Sequence, residues 1–445
     1  MTDLEGIANR LLGKGAGRIK VKSRLVHELL TFKDLGEERA GILVDAMLDG
    51  IENAKKLPDD PLLQEILKIP LSGATMHDLG VGCRGEGDFF VHRLIAKTIG
   101  DESLMNPMHQ DDAGAVKHED KIVVASVDGT HSRLSDFPFI AGFHVARAAL
   151  RDIMVKGAEP VALIDDMHLG DDGDVGKLFD FIAGVSAVAE LSGIPLIAGS
   201  TLRIGGDMVI GDRLVSGVGA IGVAKNLLAR ANVQEGDIIL MTKGAGGGTI
   251  ATTALYSGNP EVVKETLNID FIRSCKALAD KGLFEKIHAM LDVTNGGLRG
   301  DADEVCKTAG VGMRIYEDKT HPLVNEVVLE LLEKRGVDYL GVSLDSLMVF
   351  VREEDAQEVI DAVRGEGIEI AKVGEVIVGD RAVLIKDGEE KELTPGYRES
   401  AYTPIKKAIG EMAPEGKEKL MEMAHKAQIS AMEKKRKVIE HVKSK

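Results

Sequence analysis

Over residues 78–228 short β-rich runs alternate with helical stretches, and the same alternation resumes near Ala229 and continues to about Leu393. Residues 122–127 read as a strand, 141–154 as a helix, 160–164 as a strand, 176–191 as a long helix, and 196–198 and 214–223 as strands. In the second stretch the strands fall at 238–241, 347–351, 377–378 and 382–385. Interleaved helix and strand periods bury their apolar faces by layering helices on sheets, so the fold class is α/β. With no Trp and only 4% aromatic residues, the cores must be built from Leu, Ile, Val, Ala and Met, which suits such layers.

A chain of 445 residues exceeds what one core usually organises. Two α/β domains are expected, at 76–228 and 229–400, with a helical extension at 1–75 and a helical tail at 401–445. In the extension, apolar pairs such as Leu25/Val26, Leu29/Leu30, Ile42/Leu43 and Ile66/Leu67 recur at helical spacing, with Pro58, Pro61 and Pro70 as breaks. From roughly Glu415 to Lys445 the tail is Lys-rich and free of Pro and Gly after Gly416, which predicts one helix. It reads either as a solvated terminal helix or as a dock for a protein partner.

Asp and Glu outnumber Lys and Arg by 72 to 55, and a formal charge of -17 repels polyanions, so nucleic acid is not an expected partner. Cys83, Cys275 and Cys306 are distant in sequence and odd in number, which gives neither a disulfide framework nor a zinc-type pair and fits a reducing compartment. The mixed-charge start lacks a signal-peptide pattern, and no window holds about 18 uninterrupted apolar residues. The expectation is a cytoplasmic protein that does not span a membrane.

Chemistry concentrates in a few carboxylates beside small residues. Asp111 and Asp112 precede Ala113-Gly114-Ala115-Val116; adjacent anions need water or a cation to screen them, and the doublet is either a metal site or a solvated turn. Asp128 ends the strand at 122–127 ahead of Gly129-Thr130, as a ligand or as a turn former. Asp152 lies close to a helix C-terminus, where the macrodipole disfavours an anion, so Arg151 or a metal should compensate it. Asp292, followed by Val293-Thr294-Asn295-Gly296-Gly297, stands before a helix whose free amides could take a phosphate. Three glycine-rich segments begin at Gly13, Gly80 and Lys243; none fits the common phosphate-loop or dinucleotide fingerprints.

Taken in order, these motifs resemble the aminoimidazole ribonucleotide synthetase (PurM-like) superfamily, with thiamine-monophosphate kinase, selenophosphate synthetase and the hydrogenase-maturation dehydratase HypE. The likeness runs over roughly 85–385. It is carried by Gly85-Glu86-Gly87-Asp88-Phe89, Asp111-Asp112-Ala113-Gly114-Ala115-Val116, Asp128, Arg151-Asp152-Ile153 with Gly157-Ala158-Glu159-Pro160, Gly236-Asp237-Ile238-Ile239, and Asp292-Val293-Thr294-Asn295-Gly296-Gly297-Leu298. The resemblance implies two α/β halves, a homodimer formed through the N-terminal sheet, and ATP with Mg2+ in a cleft. Asp111, Asp112, Asp128, Asp152 and Asp292 are then the implied metal ligands, Asp111, Asp112 and Asp152 the catalytic set. Gly85, Gly87, Asp128, Lys243, Gly244, Gly246, Gly296 and Gly297 are the implied nucleotide contacts.

Departures narrow the chemistry. The chain ends Val442-Lys443-Ser444-Lys445, without the terminal cysteine that carries the maturation dehydratase's reacting group. Arg84 follows Cys83 where selenophosphate synthetase has Lys, and Ala198-Gly199-Ser200-Thr201 lacks the aspartate of the kinase's Gly-Gly-Asp-Thr. The leading expectation is an ATP- and Mg-dependent phosphotransferase or ligase-like enzyme that activates an oxygen or chalcogenide of an unidentified small molecule, in cofactor biosynthesis. The alternative is a non-catalytic nucleotide-binding maturation or regulatory factor that engages a protein partner through its terminal helices.

Overall fold

The computed structural model describes residues 2–100, 102–205, 208–294, 296–399 and 401–444; Asn295 of the last carboxylate motif therefore lies outside the described residues. At the N-terminus, strand β1 (Thr2–Asp3) leads into helices α1 (Leu4–Gly13), α2 (Arg18–Phe32) and α3 (Glu37–Ala54). The i, i+4 stripe Val21, Leu25 and Leu29 meets Ala40, Val44 and Leu48 in a small core separate from the main one. It joins the rest of the chain through β6 (Val209–Ile210), which pairs with β1, and through Lys33, which bonds Asp171 and, at 2.8 Å, Asp172. Helix α4 (Pro61–Leu67), with Asp60 as its N-cap, and α5 (Glu86–Ile99) follow.

The first sheet comprises β2 (Gly114–His118), β3 (Lys121–Gly129), β4 (Glu159–Leu169), β5 (Leu196–Arg203) and β7 (Leu214–Ala224), in the order β2-β3-β7-β4-β5. Helices α6 (Pro138–Met154) and α7 (Gly176–Ser192) cover one face. They approach backbone to backbone: a Cβ on Gly142 would meet the Phe181 carbonyl oxygen at 2.1 Å, and one on Gly184 the Phe139 oxygen at 2.0 Å. The opposite face is open and largely apolar, with Val127 78% exposed and Ile164, Leu202 and Val215 also exposed.

The second sheet has seven strands: β8 (Ile238–Thr242), β9 (Ile287–Val293), β10 (Gly312–Tyr316), β11 (Ser346–Val351), β12 (Ile370–Ile377), β13 (Ala382–Lys386) and β14 (Glu389–Glu392), ordered β14-β13-β10-β12-β8-β11-β9. Strands β8 and β11 are buried at every residue, as a central strand with both faces covered requires. The accompanying helices are α8 (Gly248–Tyr256), α9 (Val263–Thr266), α10 (Asp270–Asp280), α11 (Gly297–Ala309), α12 (Glu317–Thr320), α13 (Glu326–Lys334) and α14 (Glu353–Arg364). One apolar core runs continuously from Val124 and Leu150 of the first half to Met290 and Phe350 of the second. The expected strand at 377–378 is only the end of β12, a central strand; a register shift between Lys372 and Gly374 breaks the alternation that would have revealed it.

After β14 come α15 (Pro404–Ile409) and α16 (Lys417–Lys443), so the tail beyond Gly416 is one long helix and a short helix precedes it. Its inner side rests on α4 and α5 of the same chain: Lys434 donates to the carbonyls of Ile66 (3.0 Å) and Lys68 (2.6 Å), and Lys435 to those of Thr98 (2.9 Å) and Ile99 (3.0 Å). No helix among the described residues is long and apolar enough to cross a membrane.

Candidate functional site

Both halves line one cavity of about 650 Å³, and Asp111, Asp112, Asp128, Asp152 and Asp292 all contribute to its wall. The doublet sits just ahead of β2, Asp128 near the end of β3, Asp152 in the last turn of α6 and Asp292 near the end of β9. Strand ends and a helix end thus converge from four places in the sequence.

Buried cations hold the doublet. Lys156, just past α6 and fully buried, donates to Asp111 and lies 2.9 Å from Asp112 Oδ2. Arg230 donates to Asp112 and, at 2.7 Å, to Glu304, and its backbone N–H donates to Asp111 Oδ2 at 3.0 Å. Burial opposes ionisation of Asp111, yet Lys156 and Arg230 outweigh it and hold the carboxyl below its ordinary range.

A second network joins α6 to the other half. Arg151 Nε is 3.2 Å from Asp292 Oδ2 and its Nη1 is 2.6 Å from Asp345 Oδ1; Arg147 also donates to Asp345 and reaches the carbonyls of Thr266 (2.9 Å) and Asn268 (2.6 Å). Burial resists ionisation of Asp345, but the two arginines draw it down to about 2. Asp292 is pushed up to about 6, because burial together with Asp112, Asp345 and Asp128 outweighs Arg151. Burial, then Asp292, Asp128 and Asp112, push Asp152 well above its ordinary value, and burial raises Asp128 against Arg151. Burial is the leading cause at all three of Asp128, Asp152 and Asp292; at Asp152 and Asp292 the neighbouring carboxylates add to it, whereas at Asp128 the leading charges, Arg151 and Arg84, oppose it. Among the described residues, no three His, Cys, Asp or Glu side chains converge tightly enough to form a ready-made metal cage.

The remaining expected nucleotide contacts lie elsewhere. Lys243 stays outside the cavity, 3.7 Å from Glu369. Gly85, Gly87, Gly244, Gly246, Gly296 and Gly297 do not line it either. Close backbone approach explains most of these glycines: a Cβ would meet Tyr397 O at 2.4 Å from Gly85, Leu79 O at 2.1 Å from Gly87, Leu344 O at 2.2 Å from Gly244 and Leu340 O at 2.4 Å from Gly297. Gly246 and Gly296 have φ of 73° and 104°. The later part of the third glycine segment, Gly247, Gly248 and Thr249, does reach the cavity. Cys83 does not, whereas its neighbour Arg84 does, with Glu304 at 3.9 Å.

Sequence reasoning did not single out Arg147, Lys156, Arg230, Glu304, Asp345, His131 or His144. One signal was available: α6 is buried along nearly its whole length, so Arg147 and Arg151, one helical turn apart, required buried acidic partners.

Two α/β halves meeting over a carboxylate-lined cavity define the class as a two-domain, PurM-like fold. The chain belongs to the AIR synthase related family, whose N-terminal domain matches residues 110–224 and whose C-terminal domain matches residues 234–387. An uncharacterised protein of Methanocaldococcus jannaschii is 51% identical over 100% of this chain and 99% of its own length. Carbamoyl dehydratase HypE of Rhodobacter capsulatus is 31% identical over 51% of this chain and 67% of its own. A solved structure of the hydrogenase maturation protein HypE in complex with ATP is similar with a TM-score of 0.51 at 21% identity, covering 70% of this chain and 96% of that one.

Proposed function

We propose that the cavity binds ATP with Mg2+ and that the chain transfers a phosphoryl group to, or otherwise activates, an oxygen or chalcogenide of a small molecule. The observation that carries this reading is the convergence of five aspartates, from four distant segments of the sequence, on one cavity. The donor set fits a divalent cation: it consists of hard carboxylate oxygens, and burial, reinforced by neighbouring carboxylates, disfavours the charged forms of Asp152 and Asp292 in a way that a bound cation offsets. Asp128 and Asp152 would hold the ion, with Asp112 and Asp292 adjusting from their partners Arg230 and Arg151. Mg2+ would neutralise charge on the transferring phosphates. Arg84, Arg151 and Arg230 supply fixed positive charge beside it, so positioning and electrostatics do most of the work.

In this reading Ile95 and Ile99 of α5 and Pro107 beyond it, which line the cavity, face the flat nucleobase. The open apolar face of the five-stranded sheet supports a homodimer formed through that sheet, since a monomer would leave it in water. Calorimetry with a non-hydrolysable ATP analogue tests the core of the proposal: binding should require Mg2+ and weaken at least tenfold in Asp152→Asn. Absence of binding, or binding indifferent to Mg2+, sinks it.

The regulatory reading draws support from the separate core of α1–α3 and from Ile19, 87% exposed on α2. Nucleotide turnover in a metabolite extract separates the two: tight Mg-ATP binding with no turnover above that of Asp112→Asn favours the regulatory factor.

A further inference from the structure

Two histidines flank the start of α8 where it opens on the cavity. A Cβ on Gly248 would lie 3.6 Å from His131 Cβ and 3.8 Å from His144 Cβ, and both residues line the cavity. Their hydrogen bonds differ. The Thr252 hydroxyl donates to Gly248 O at 2.7 Å, which leaves its oxygen to accept from His131 Nδ1 at 3.1 Å, while His131 Nε2 meets the Tyr402 hydroxyl. Both nitrogens of His131 are therefore engaged.

His144 is engaged on one side only. Thr266 donates its hydroxyl hydrogen to Val263 O at 2.7 Å, so its oxygen accepts from His144 Nε2, 3.2 Å away. That bond places the proton on Nε2 and leaves Nδ1 with a lone pair. Nδ1 is buried and, among the described residues, has no hydrogen-bond partner, on a residue only 5% exposed. A buried acceptor costs free energy until something donates to it. Burial and the neighbouring Arg147 keep the ring neutral, with Arg151 and His131 acting in the same sense and Asp345 against them.

Beside this acceptor lie donors. Among the described residues no side chain caps helix α8 at Gly247, so its first amides, at Gly248 and Thr249 on the cavity wall, are open to a ligand. A full anion is disfavoured there, because the Asp345 carboxylate already stands at the start of the helix, 2.6 Å from where a Gly247 Cβ would be. A neutral group that both donates and accepts satisfies His144 and the amides together.

We propose that this part of the cavity binds an uncharged, hydroxyl-bearing head of the small-molecule substrate, the hydroxyl donating to His144 Nδ1 and accepting from the Gly248 or Thr249 amide. The assignment of that molecule as the phosphoryl acceptor rests on the nucleotide reading above; the hydroxyl subsite itself does not.

The test uses full-length protein labelled with 15N in its imidazoles and loaded with Mg2+ and the ATP analogue, with His144→Gln to assign the His144 signals. Ethylene glycol is the probe and 1,2-dimethoxyethane, which lacks a donor, its control. The expected result is a His144 ring protonated on Nε2 whose Nδ1 resonance moves with ethylene glycol and stays fixed with the ether, while His131 is unchanged. A proton on Nδ1, an equal response to both probes, or a response to neither overturns the proposal. Repeating the titration without nucleotide keeps the two readings apart: loss of ATP-analogue binding removes the nucleotide assignment, while the donor-specific shift at His144 stands or falls separately.

Discussion

Lys156 and Asp112 form an ion pair of 2.9 Å in which the lysine side chain is wholly buried and the aspartate nearly so. The same ammonium also serves Asp111, so one cation offsets much of the charge of the doublet. Lys156→Met removes it and leaves two buried carboxylates to Arg230 alone. Breaking a buried pair from one side typically costs 3–5 kcal/mol, and the remaining Arg230 puts this case near about 3 kcal/mol. Urea denaturation of Lys156→Met should show that loss, and Asp111→Asn in the same chain should restore part of it. An unchanged midpoint would mean that the doublet is solvated after all.

Asp292 has a folded-state pKa of about 6, against 3.8 for the free side chain. Between those values the folded chain binds more protons at this site than the unfolded chain, so the site's contribution to stability falls as pH rises through the window and is least favourable above it. Burial draws His131 down to about 4 and moves His144 the same way; both act in the opposite sense over this range. The Asp292 contribution must therefore be read as a difference. Wild-type stability minus that of Asp292→Asn should decline from about pH 4 to about pH 6.5 in metal-free buffer and level off above, and Mg2+ should flatten the decline. A difference that grows with pH would contradict the raised pKa.

The acidic side of the cavity was legible in the sequence because each aspartate stands close to the start or end of a strand or helix, a local pattern. The basic side was not. Lys156 lies 45 residues from Asp111 and Arg147 lies 198 from Asp345, and nothing local marks a lysine or arginine as buried. Glycines misled for a related physical reason: Gly85 and Gly244 look like phosphate loops, but a missing Cβ serves a close backbone neighbour equally well. Strand β12 escaped because Gly374, whose Cβ would strike Arg314 O at 2.2 Å, sits at its bulge.

Helices α6 and α7 depend on two glycines facing each other's backbone. Because the obstructing atoms are carbonyls rather than mobile side chains, Gly142→Ala and Gly184→Ala must push the helices apart, costing about 2–3 kcal/mol each. Gly50, inside α3 with nothing within 4 Å of its Cβ position, is the contrast. There alanine should stabilise by up to about 1 kcal/mol through helix propensity. Urea midpoints moving in opposite directions confirm both; a neutral Gly142→Ala would show that the two helices have room to spare.

Helix α16 buries none of its own residues, yet two of its lysines close the ends of other helices. Lys434 caps the last carbonyls around α4, and Lys435 those of α5, where a cation also meets the negative end of the helix dipole. Each such contact is worth about 0.5–1 kcal/mol, too little to affect global unfolding but enough to decide whether a terminal turn frays. Lys435→Ala should therefore leave the urea midpoint close to wild type while speeding amide exchange in the last turn of α5. Ile99 of that turn lines the cavity, so the loosened turn should also weaken binding of the ATP analogue about two- to fivefold. Exchange in β8 and β11, buried at every residue, should not change. If α5 exchanges as in wild type, the tail is a passenger on the fold and the cavity is independent of it.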